Sequence, residues 1–424
     1  MFTSVINPII ISRSFSFENT GLFHDNLSEA VRLTEALPNT SVLISLSVKI
    51  RKPDPSKLFG RGQIKKLCVY FTEKKIKLVV VNGELNAIQQ RNLETEWNLK
   101  VLDRTAIILE IFGSRAMSRE GVLQVELAHL NYQKSRLVRS WTHLERQRGG
   151  MGFLGGPGET QIEADKRAIN SRIIQIKQAL EKVVKTRGLH RIARKKIPYP
   201  TVALVGYTNA GKSSVFNRLT GATALTKDML FATLDPKMKG LKLPSGQKVI
   251  VSDTVGFISK LPTLLIAAFK ATLEEVVTAD LILHVRDISS NNFDEQAEDV
   301  ELVLSKLGIV ESSEKVIEVW NKEDKIQDFS YQYLNMESDK ISKNKVIVSA
   351  KLGNGFQALL HLMASFFNKG KKEELIFIPF TRNKSRSWLL DNKLIIRETA
   401  MEKGSNILVY WTDIQRNKFI SDFS

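Results

Sequence analysis

The segment GYTNAGKSS occupies residues 206–214, between a β-branched run at 201–205 and a helical pattern at 214–219. A glycine-rich loop between a strand and a helix lets backbone amides surround a phosphate group. In this Walker A pattern the lysine reaches the β- and γ-phosphates and the following serine binds Mg²⁺. The sequence therefore predicts a nucleoside triphosphate site, with Lys212 on the phosphates and Ser213 on the metal.

Three later motifs, each at the end of a predicted strand, extend this site: DTVGF at 253–257, NKED at 321–324 and SAK at 349–351. We expect Asp253 to hold Mg²⁺ through water and the Gly256 amide to meet the γ-phosphate. The Asp324 carboxylate can accept from the N1–H and the amino group of guanine, whereas adenine offers an acceptor at N1. The four motifs in this order predict a GTP-binding domain.

The residues between the phosphate loop and DTVGF contain LFATLDP at 230–236, where a switch loop is expected to offer a threonine to Mg²⁺. We choose Thr233, with Thr223 and Thr226 as alternatives. In Ras-like enzymes a glutamine that follows the DxxG glycine positions the attacking water, but here Phe257 takes that place. We therefore expect slow intrinsic hydrolysis that a partner or a rearranged switch loop completes.

These motifs give the predicted site. The predicted GTP contacts are Gly206, Tyr207, Thr208, Asn209, Ala210, Gly211, Lys212, Ser213, Ser214, Phe231, Ala232, Thr233, Asp253, Thr254, Val255, Gly256, Asn321, Lys322, Asp324, Ser349, Ala350 and Lys351. The predicted catalytic residues are Lys212, Thr233 and Gly256. The predicted Mg²⁺ ligands are Ser213, Thr233 and Asp253.

The region before the phosphate loop divides into two patterns. Residues 1–120 alternate helical and strand patterns, which predicts an α/β domain with a parallel sheet. Residues 121–197 carry apolar residues at spacings of three and four over two long stretches, which predicts an antiparallel helical hairpin. A P-loop domain at 198–369 and a small C-terminal α+β domain at 370–424, joined by a linker at 370–374, complete the predicted α/β fold.

The predicted hairpin is strongly basic. Residues 132–197 hold 16 Lys and Arg against five Asp and Glu, a net +11, while the whole chain of 424 residues has a net charge of +17. Such a hairpin is often only a solvated coiled coil, but charge of one sign repels itself unless phosphates neutralise it. The predicted RNA contacts are Arg136, Arg139, Arg146 and Arg148 with Gly150, Gly152, Gly155 and Gly156 of the glycine-rich tip.

Composition narrows the class of protein. A hydrophobic share of 43% with 25% charged residues is ordinary globular usage. Cys68 is the single cysteine, which excludes an intramolecular disulfide and favours a reducing compartment. Without an apolar run long enough to cross a bilayer, we expect no membrane span and a cytoplasmic location, with peripheral membrane association left open. The oligomeric state is not determined by the sequence, and a monomer is the default expectation.

With these motifs in view, the chain resembles the HflX family of ribosome-associated GTPases. The resemblance is carried by long runs: FGRGQIKKL at 59–67, VVVNGELNAIQQRNLE at 79–94, VLDRTAIILEIFGSRA at 101–116, LQVELAHLNYQKSRL at 123–137, GGMGFLGGPGETQIEADKR at 149–167, and DTVGFISKLP at 253–262, together with GYTNAGKSS and LFATLDP. The resemblance implies a GTPase that binds the large ribosomal subunit and its rRNA and separates stalled or idle ribosomes. A GTPase that acts on tRNA or on free rRNA, and a scaffold that only holds GTP, remain alternatives.

The resemblance has further implications and some departures. ATP binding in the N-terminal domain would involve Arg61, Asn82 and Arg91, although such a domain without a phosphate loop is more often a packing module. Asn209 stands where potassium-activated relatives hold K⁺, and a turn-forming Asn fits equally well.

The sequence departs from the family pattern at two places. LFATLDP is followed here by Lys-Met-Lys instead of Thr-Thr-Arg, and the phosphate loop ends in Ser-Ser instead of Ser-Thr.

Overall fold

The computed structural model of the protein describes residues 8–15, 20–147, 157–195, 199–222, 230–231, 233–259, 270–309, 315–326, 344–369, 371–392 and 394–423. Within them it is a mixed α/β structure with three sheets. The predicted fold class is confirmed, including the two α/β units and the antiparallel sheet near the C-terminus.

The N-terminal sheet has four parallel strands in the order β2-β1-β3-β4. Its elements are β1 (Ile9–Phe15), α1 (Thr20–Glu35), β2 (Ile44–Ile50), α2 (Arg61–Glu73), β3 (Leu78–Asn82), α3 (Ala87–Trp97), β4 (Lys100–Asp103) and α4 (Arg104–Arg115). The parallel arrangement was predicted, but β1 and β4 were not: β4 has only four residues, too few for a visible pattern. Strand β1 is an inner strand of the sheet, and Ile9, Ile10 and Ile11 are completely buried. Because both faces of this strand are covered, its sequence shows a continuous apolar run instead of the alternation that indicates a strand.

The second unit is a pair of long helices, α5 (Arg119–Gln147) and α6 (Pro157–Lys195), here called the hairpin. The two helices pack against each other with Ile173 and Ile176 buried, and Arg172 of α6 pairs with Glu126 of α5 at 2.7 Å. Both helices were predicted. No helix in the part of the chain that the structure describes is long and apolar enough to cross a bilayer.

The central unit is a six-stranded sheet in the order β10-β9-β8-β5-β7-β6, parallel except for β6. Its elements are β5 (Thr201–Gly206), α7 (Lys212–Thr220), β6 (Lys237–Lys242), β7 (Lys248–Asp253), α8 (Lys270–Val277), β8 (Leu281–Asp287), α9 (Phe293–Lys306), β9 (Val316–Asn321), β10 (Lys345–Ile347) and α10 (Phe356–Asn368). The strand order reverses around β5. Ligands of doubly wound sheets bind at such a reversal, outside the carboxyl ends of the strands.

The C-terminal unit is an antiparallel sheet in the order β11-β13-β12. It comprises β11 (Lys372–Pro379), α11 (Asn383–Asp391), β12 (Ile395–Met401), β13 (Gly404–Trp411) and α12 (Asp413–Phe423), with a small cluster around Leu389, Ile407 and Trp411. The linker predicted at 370–374 was wrong in part, because Lys372 already pairs with Trp411 in the sheet. The alternating apolar positions of β11 were hidden by the four charges that precede Leu375.

One apolar cluster crosses from the N-terminal unit into the central one. Ile107 and Phe112 of α4 belong to the same buried cluster as Phe231, Leu234 and Phe257. The loops near the phosphate site therefore share a core with the N-terminal unit. The predicted domain boundaries remain predictions, although α5 begins at Arg119 and β5 at Thr201, close to two of them.

Candidate functional site

The phosphate loop, residues 206–214, connects β5 to α7 and needs glycine at two positions. A Cβ on Gly206 would lie 2.1 Å from the Val285 carbonyl oxygen, and one on Gly211 would lie 2.2 Å from the Asn321 amide nitrogen. Both glycines also have positive φ, +150° and +93°, which side chains disfavour. The loop can therefore fold tightly against β8 and β9 only with these glycines.

Lys212 begins α7 and its side chain is buried in the phosphate loop. Its ammonium donates hydrogen bonds to the carbonyl oxygens of Gly206, at 3.1 Å, and Tyr207, at 2.8 Å. Burial lowers the pKa of Lys212 to about 8, the Asp253 carboxylate opposes this shift, and the charge of Lys322 adds to it. Phosphate oxygens would supply the counter-charge that a buried ammonium lacks.

The three predicted metal ligands converge on one point. The Ser213 hydroxyl lies 2.9 Å from the Thr233 hydroxyl and donates to Asp253 at 2.7 Å, and Thr233 donates to the same carboxylate oxygen at 3.0 Å. The other Asp253 oxygen is buried without a hydrogen-bond partner among the described residues, and burial raises the pKa of this carboxyl. A hard, oxygen-seeking cation such as Mg²⁺ fits this donor set.

The DTVGF segment is joined to the phosphate loop through its backbone. The Thr208 amide donates to the Phe257 carbonyl at 2.6 Å, and the Phe257 amide donates to the Gly206 carbonyl at 3.1 Å. A Cβ on Gly256 would lie 2.8 Å from the Lys212 ammonium, so the glycine keeps this approach open. The Phe257 side chain is only 2% exposed and lies in the shared core, so this position offers nothing to an attacking water.

The base motifs lie at the ends of β9 and β10. The Asn321 amide donates to the Ala210 carbonyl at 2.9 Å and accepts from the Ala350 amide at 3.0 Å, which ties the motif to the phosphate loop and to SAK. The Ser349 hydroxyl donates to the Asp324 carboxylate at 2.6 Å, and Lys322 pairs with Asp287 at 2.6 Å. Asp324 is thereby held at the carboxyl edge where guanine was predicted.

Several predicted contacts have other surroundings. Thr254 and Val255 are buried, and the Thr254 hydroxyl donates to the Leu204 carbonyl of β5 at 2.6 Å. Lys351 is exposed, and Ala232 lies outside the described residues. The contacts of these residues with GTP stay predictions.

A network that no motif indicated joins the phosphate loop to the N-terminal unit. The Tyr207 hydroxyl donates to Glu29 of α1 at 2.5 Å and accepts from the Ser259 amide at 2.9 Å. Arg104, only 6% exposed, donates to Glu29 at 3.0 Å and to the Ser259 carbonyl at 3.1 Å. Burial and the Glu29 carboxylate raise the pKa of Tyr207, which keeps its hydroxyl a donor. Glu29 lies outside every quoted motif, and the run at 101–116 that contains Arg104 gave no indication of a contact with the phosphate loop.

Three family models match successive parts of the chain. Residues 24–113 match a GTP-binding GTPase N-terminal region, residues 115–194 a GTP-binding GTPase middle region, and residues 201–322 a 50S ribosome-binding GTPase. GTPase HflX of Magnetococcus marinus is 50% identical over 335 residues, which are 78% of this chain and 76% of that protein. The chain belongs to the HflX family.

A second curated relative agrees with this assignment. GTPase HflX of Escherichia coli is 41% identical over 355 residues, 84% of this chain and 82% of that protein. A crystal structure of a GTP-binding protein from Sulfolobus solfataricus in complex with GDP is 22% identical, with a TM-score of 0.47 over 85% of this chain and 98% of that one. As a member of the HflX family, the chain is a GTPase that converts GTP to GDP and phosphate, and such GTPases use Mg²⁺.

In this HflX chain one of the predicted RNA contacts, Arg136, is bonded to the N-terminal unit. Arg136 pairs with Asp103 at 2.5 Å, with side-chain exposures of 19% and 1%. Its guanidinium lies 4.6 Å from the centre of the Tyr132 ring, and the Tyr132 hydroxyl donates to Asp103 at 2.9 Å. These contacts join α5 of the hairpin to the N-terminal unit, and the Asp103 carboxylate neutralises the charge of Arg136. Its predicted contact with RNA stays a prediction.

The other predicted hairpin contacts are not located by the structure. Arg148 and the glycines of the tip, Gly150, Gly152, Gly155 and Gly156, lie outside the described residues. Arg139 and Arg146 belong to α5, but their side chains are outside the described part as well. Their contacts with RNA stay predictions.

The residues predicted for ATP and K⁺ have ordinary structural surroundings. Arg61 is exposed at the start of α2, Arg91 is exposed on α3, and the Asn82 side chain accepts a hydrogen bond from Arg104 at 3.1 Å. Asn209 has a φ of +64°, a turn conformation that Asn tolerates well. ATP binding and K⁺ binding remain predictions from the resemblance.

Proposed function

We propose that this HflX GTPase binds the large ribosomal subunit through its basic hairpin and uses GTP to separate stalled or idle ribosomes. The observation that carries the proposal is that the phosphate loop and the hairpin both bond to the N-terminal unit, through Tyr207 and Arg136 respectively. The match of residues 201–322 to a family of 50S ribosome-binding GTPases favours the same partner. Ribosomes are cytoplasmic, so we expect the protein to work there.

The charge of the hairpin supports an RNA partner. Residues 132–197 hold 16 basic residues against five acidic ones. Among the side chains of this range that the structure describes, Arg136 forms an ion pair with the N-terminal unit. Phosphate contacts made by Lys and Arg release counterions, so affinity for RNA falls steeply with salt. A hairpin that was only a solvated coiled coil would show no such dependence.

The residue at position 257 of the catalytic site favours a GTPase whose hydrolysis is stimulated by a partner. Phe257 is buried where a water-positioning glutamine would stand, so the GTPase domain lacks that group in this arrangement. Phosphoryl transfer depends mainly on positioning and electrostatic stabilisation. We therefore expect slow turnover alone and faster turnover on the large subunit.

Sedimentation of intact ribosomes with the protein and either GTP or a non-hydrolysable analogue tests the partner and the action together. We expect the protein to travel with the large subunit and the 70S peak to decrease with both nucleotides. Ribosomes that stay intact would reject the splitting role. Hydrolysis stimulated by tRNA but not by large subunits would favour the second candidate, a GTPase that acts on tRNA or free rRNA.

Charge removal tests the hairpin. Replacing Arg139, Arg146 and Arg148 with Gln should weaken subunit binding and reduce the slope of log K against log salt by roughly 2 to 3. A matched variant with Lys66, Lys74 and Lys77 of the N-terminal unit replaced by Gln removes the same charge from exposed positions. If both variants change the slope equally, the hairpin is not the RNA-binding element.

A further inference from the structure

The switch loop, residues 230–236, reaches from the metal ligands to the root of the hairpin. Asp235 stands two residues after Thr233, and its carboxylate accepts hydrogen bonds from the backbone amides of Met117, at 2.9 Å, and Ser118, at 2.8 Å. The Ser118 hydroxyl also donates to this carboxylate. Both amides immediately precede α5, which begins at Arg119, so Asp235 holds the residues that lead into this helix.

The Asp235 carboxylate lies close to the backbone of the first turn of α5. A Cβ on Gly121 would lie 2.7 Å from a carboxylate oxygen of Asp235. The Gly121 amide donates to the Ser118 hydroxyl at 3.0 Å, so Ser118 links the first turn of α5 to Asp235. A carboxylate at a helix N-terminus is also favoured by the helix dipole.

The other side of the switch loop is anchored in the shared core. Phe231 packs edge-on against Phe112 of α4, with ring centroids 4.7 Å apart. Phe231 is 2% exposed and has a φ of +55°, a conformation that a bulky residue adopts only when its surroundings impose it. Thr233 lies between these two anchors.

We propose that Asp235 is a positioning residue that couples Thr233 to the first turn of α5, so that the γ-phosphate state is transmitted to the root of the hairpin. The proposal rests on the predicted role of Thr233 as a metal ligand within the proposed GTPase cycle. When Thr233 is held at the metal site, Asp235 is held at α5. When Thr233 leaves, the helix loses an N-terminal partner, and the coupling acts equally in the opposite direction.

Amide hydrogen exchange of the full-length protein tests the coupling without any ribosome. We expect Met117, Ser118 and Gly121 to exchange at least fivefold more slowly with a non-hydrolysable GTP analogue than with GDP. Equal exchange in the two states would overturn the proposal. Because no ribosome is present, failure of the ribosome-splitting role leaves this outcome unchanged.

Substitution of Asp235 gives a second measurement. Asp235→Ala should lower the rate of GTP hydrolysis about fivefold to tenfold, in line with the loss of a helix cap, while the Kd for GDP changes less than twofold. Asp235→Asn keeps an acceptor oxygen and should restore most of the rate. Asp54→Ala is the control, because Asp54 likewise accepts from Ser56 and Lys57 amides but lies in the N-terminal unit, away from the switch loop.

A double-substitution cycle separates positioning from general destabilisation. In a Thr233→Ala background, Asp235→Ala should change the hydrolysis rate less than twofold, since the residue it positions is gone. A full fivefold loss in that background, or an equal loss in Asp54→Ala, would reject the positioning role.

Discussion

The two ends of the nucleotide site are built differently. At the base end, all the supporting hydrogen bonds lie within the central unit. Asn321 bonds to the phosphate loop and to the SAK motif, and Ser349 bonds to Asp324. At the phosphate end, the bonds within the central unit are supplemented by contacts from the other units. The Tyr207 hydroxyl is bonded to Glu29 of the N-terminal unit, and Asp235 is bonded to the start of the hairpin.

This difference separates two properties of the GTPase. GTP and GDP share the guanine base, so the base end sets affinity for both nucleotides. Only GTP has the γ-phosphate, so the end that the other units support is the end that distinguishes the two. Nucleotide affinity should therefore survive changes in the N-terminal unit and the hairpin, whereas hydrolysis should respond to them.

The largest expected effect is at the base end. Asp324→Asn replaces one acceptor of the carboxylate with a donor, so both hydrogen bonds to guanine cannot form. Loss of two bonds to a charged group predicts GTP and GDP affinity lowered by roughly 100-fold or more, about 3 kcal/mol. Fluorescent nucleotide titration should show this loss together with a gain for xanthosine nucleotides. Unchanged selectivity would remove Asp324 from the base site.

An effect of similar size, on the free energy of unfolding, is expected from His284 of β8. Strand β8 lies between β5, which leads to the phosphate end, and β9, which leads to the base end. Burial, with the charge of Arg286, lowers the pKa of His284 to about 4 from an ordinary value near 6.5. Between these pH values the unfolded chain binds a proton that the folded protein refuses, so the free energy of unfolding falls as pH falls, by about 3 kcal/mol.

Denaturant unfolding of the nucleotide-free protein at pH 7 and pH 4 measures this contribution. His284→Leu cannot titrate, so it should lose about 3 kcal/mol less than the parent protein between the two pH values. Equal losses in the two proteins would show that other groups cause the acid sensitivity.

The base end could be predicted from the sequence, and the support of the phosphate end could not. Motifs such as NKED and SAK place each residue by short-range backbone geometry at a strand end, so spacing alone located them. Glu29 and Arg104 meet Tyr207 and Ser259 only because α1 and α4 share a buried cluster with residues of the central unit. That packing depends on the arrangement of the units, which local patterns do not encode. For the same reason the sequence did not indicate that Arg136 pairs with Asp103.

A smaller effect is expected at the phosphate end, on the rate and not on affinity. Thr233→Ala removes one of the three converging oxygens, and we expect hydrolysis to fall roughly 10- to 100-fold, the range for lost metal-site contacts. GDP affinity should stay within twofold, because GDP lacks the γ-phosphate. Single-turnover hydrolysis with parallel GDP titrations measures both. Thr223→Ala and Thr226→Ala are the matched controls, and an equal loss in either would move the metal ligand away from Thr233.

The smallest effects compare the two ends directly by removing one hydroxyl from each. Ser349→Ala frees the Asp324 carboxylate from its 2.6 Å hydrogen bond, so GTP and GDP should both bind about threefold to tenfold more weakly, with an unchanged rate for the bound nucleotide. Tyr207→Phe removes the hydroxyl that joins Glu29 to Ser259, so the rate should fall by a similar factor while GDP affinity holds.

Affinity and single-turnover hydrolysis measured on both variants decide whether the two ends are independent. If Tyr207→Phe weakens GDP binding as much as Ser349→Ala does, the contacts with the N-terminal unit support the whole site and the distinction between its ends is lost. If it changes only the rate, the N-terminal unit acts on the γ-phosphate end alone, because the Tyr207 hydroxyl reaches Ser259 of the segment that follows DTVGF. The hydroxyl of a phosphate-loop tyrosine would then be the point at which α1 influences hydrolysis.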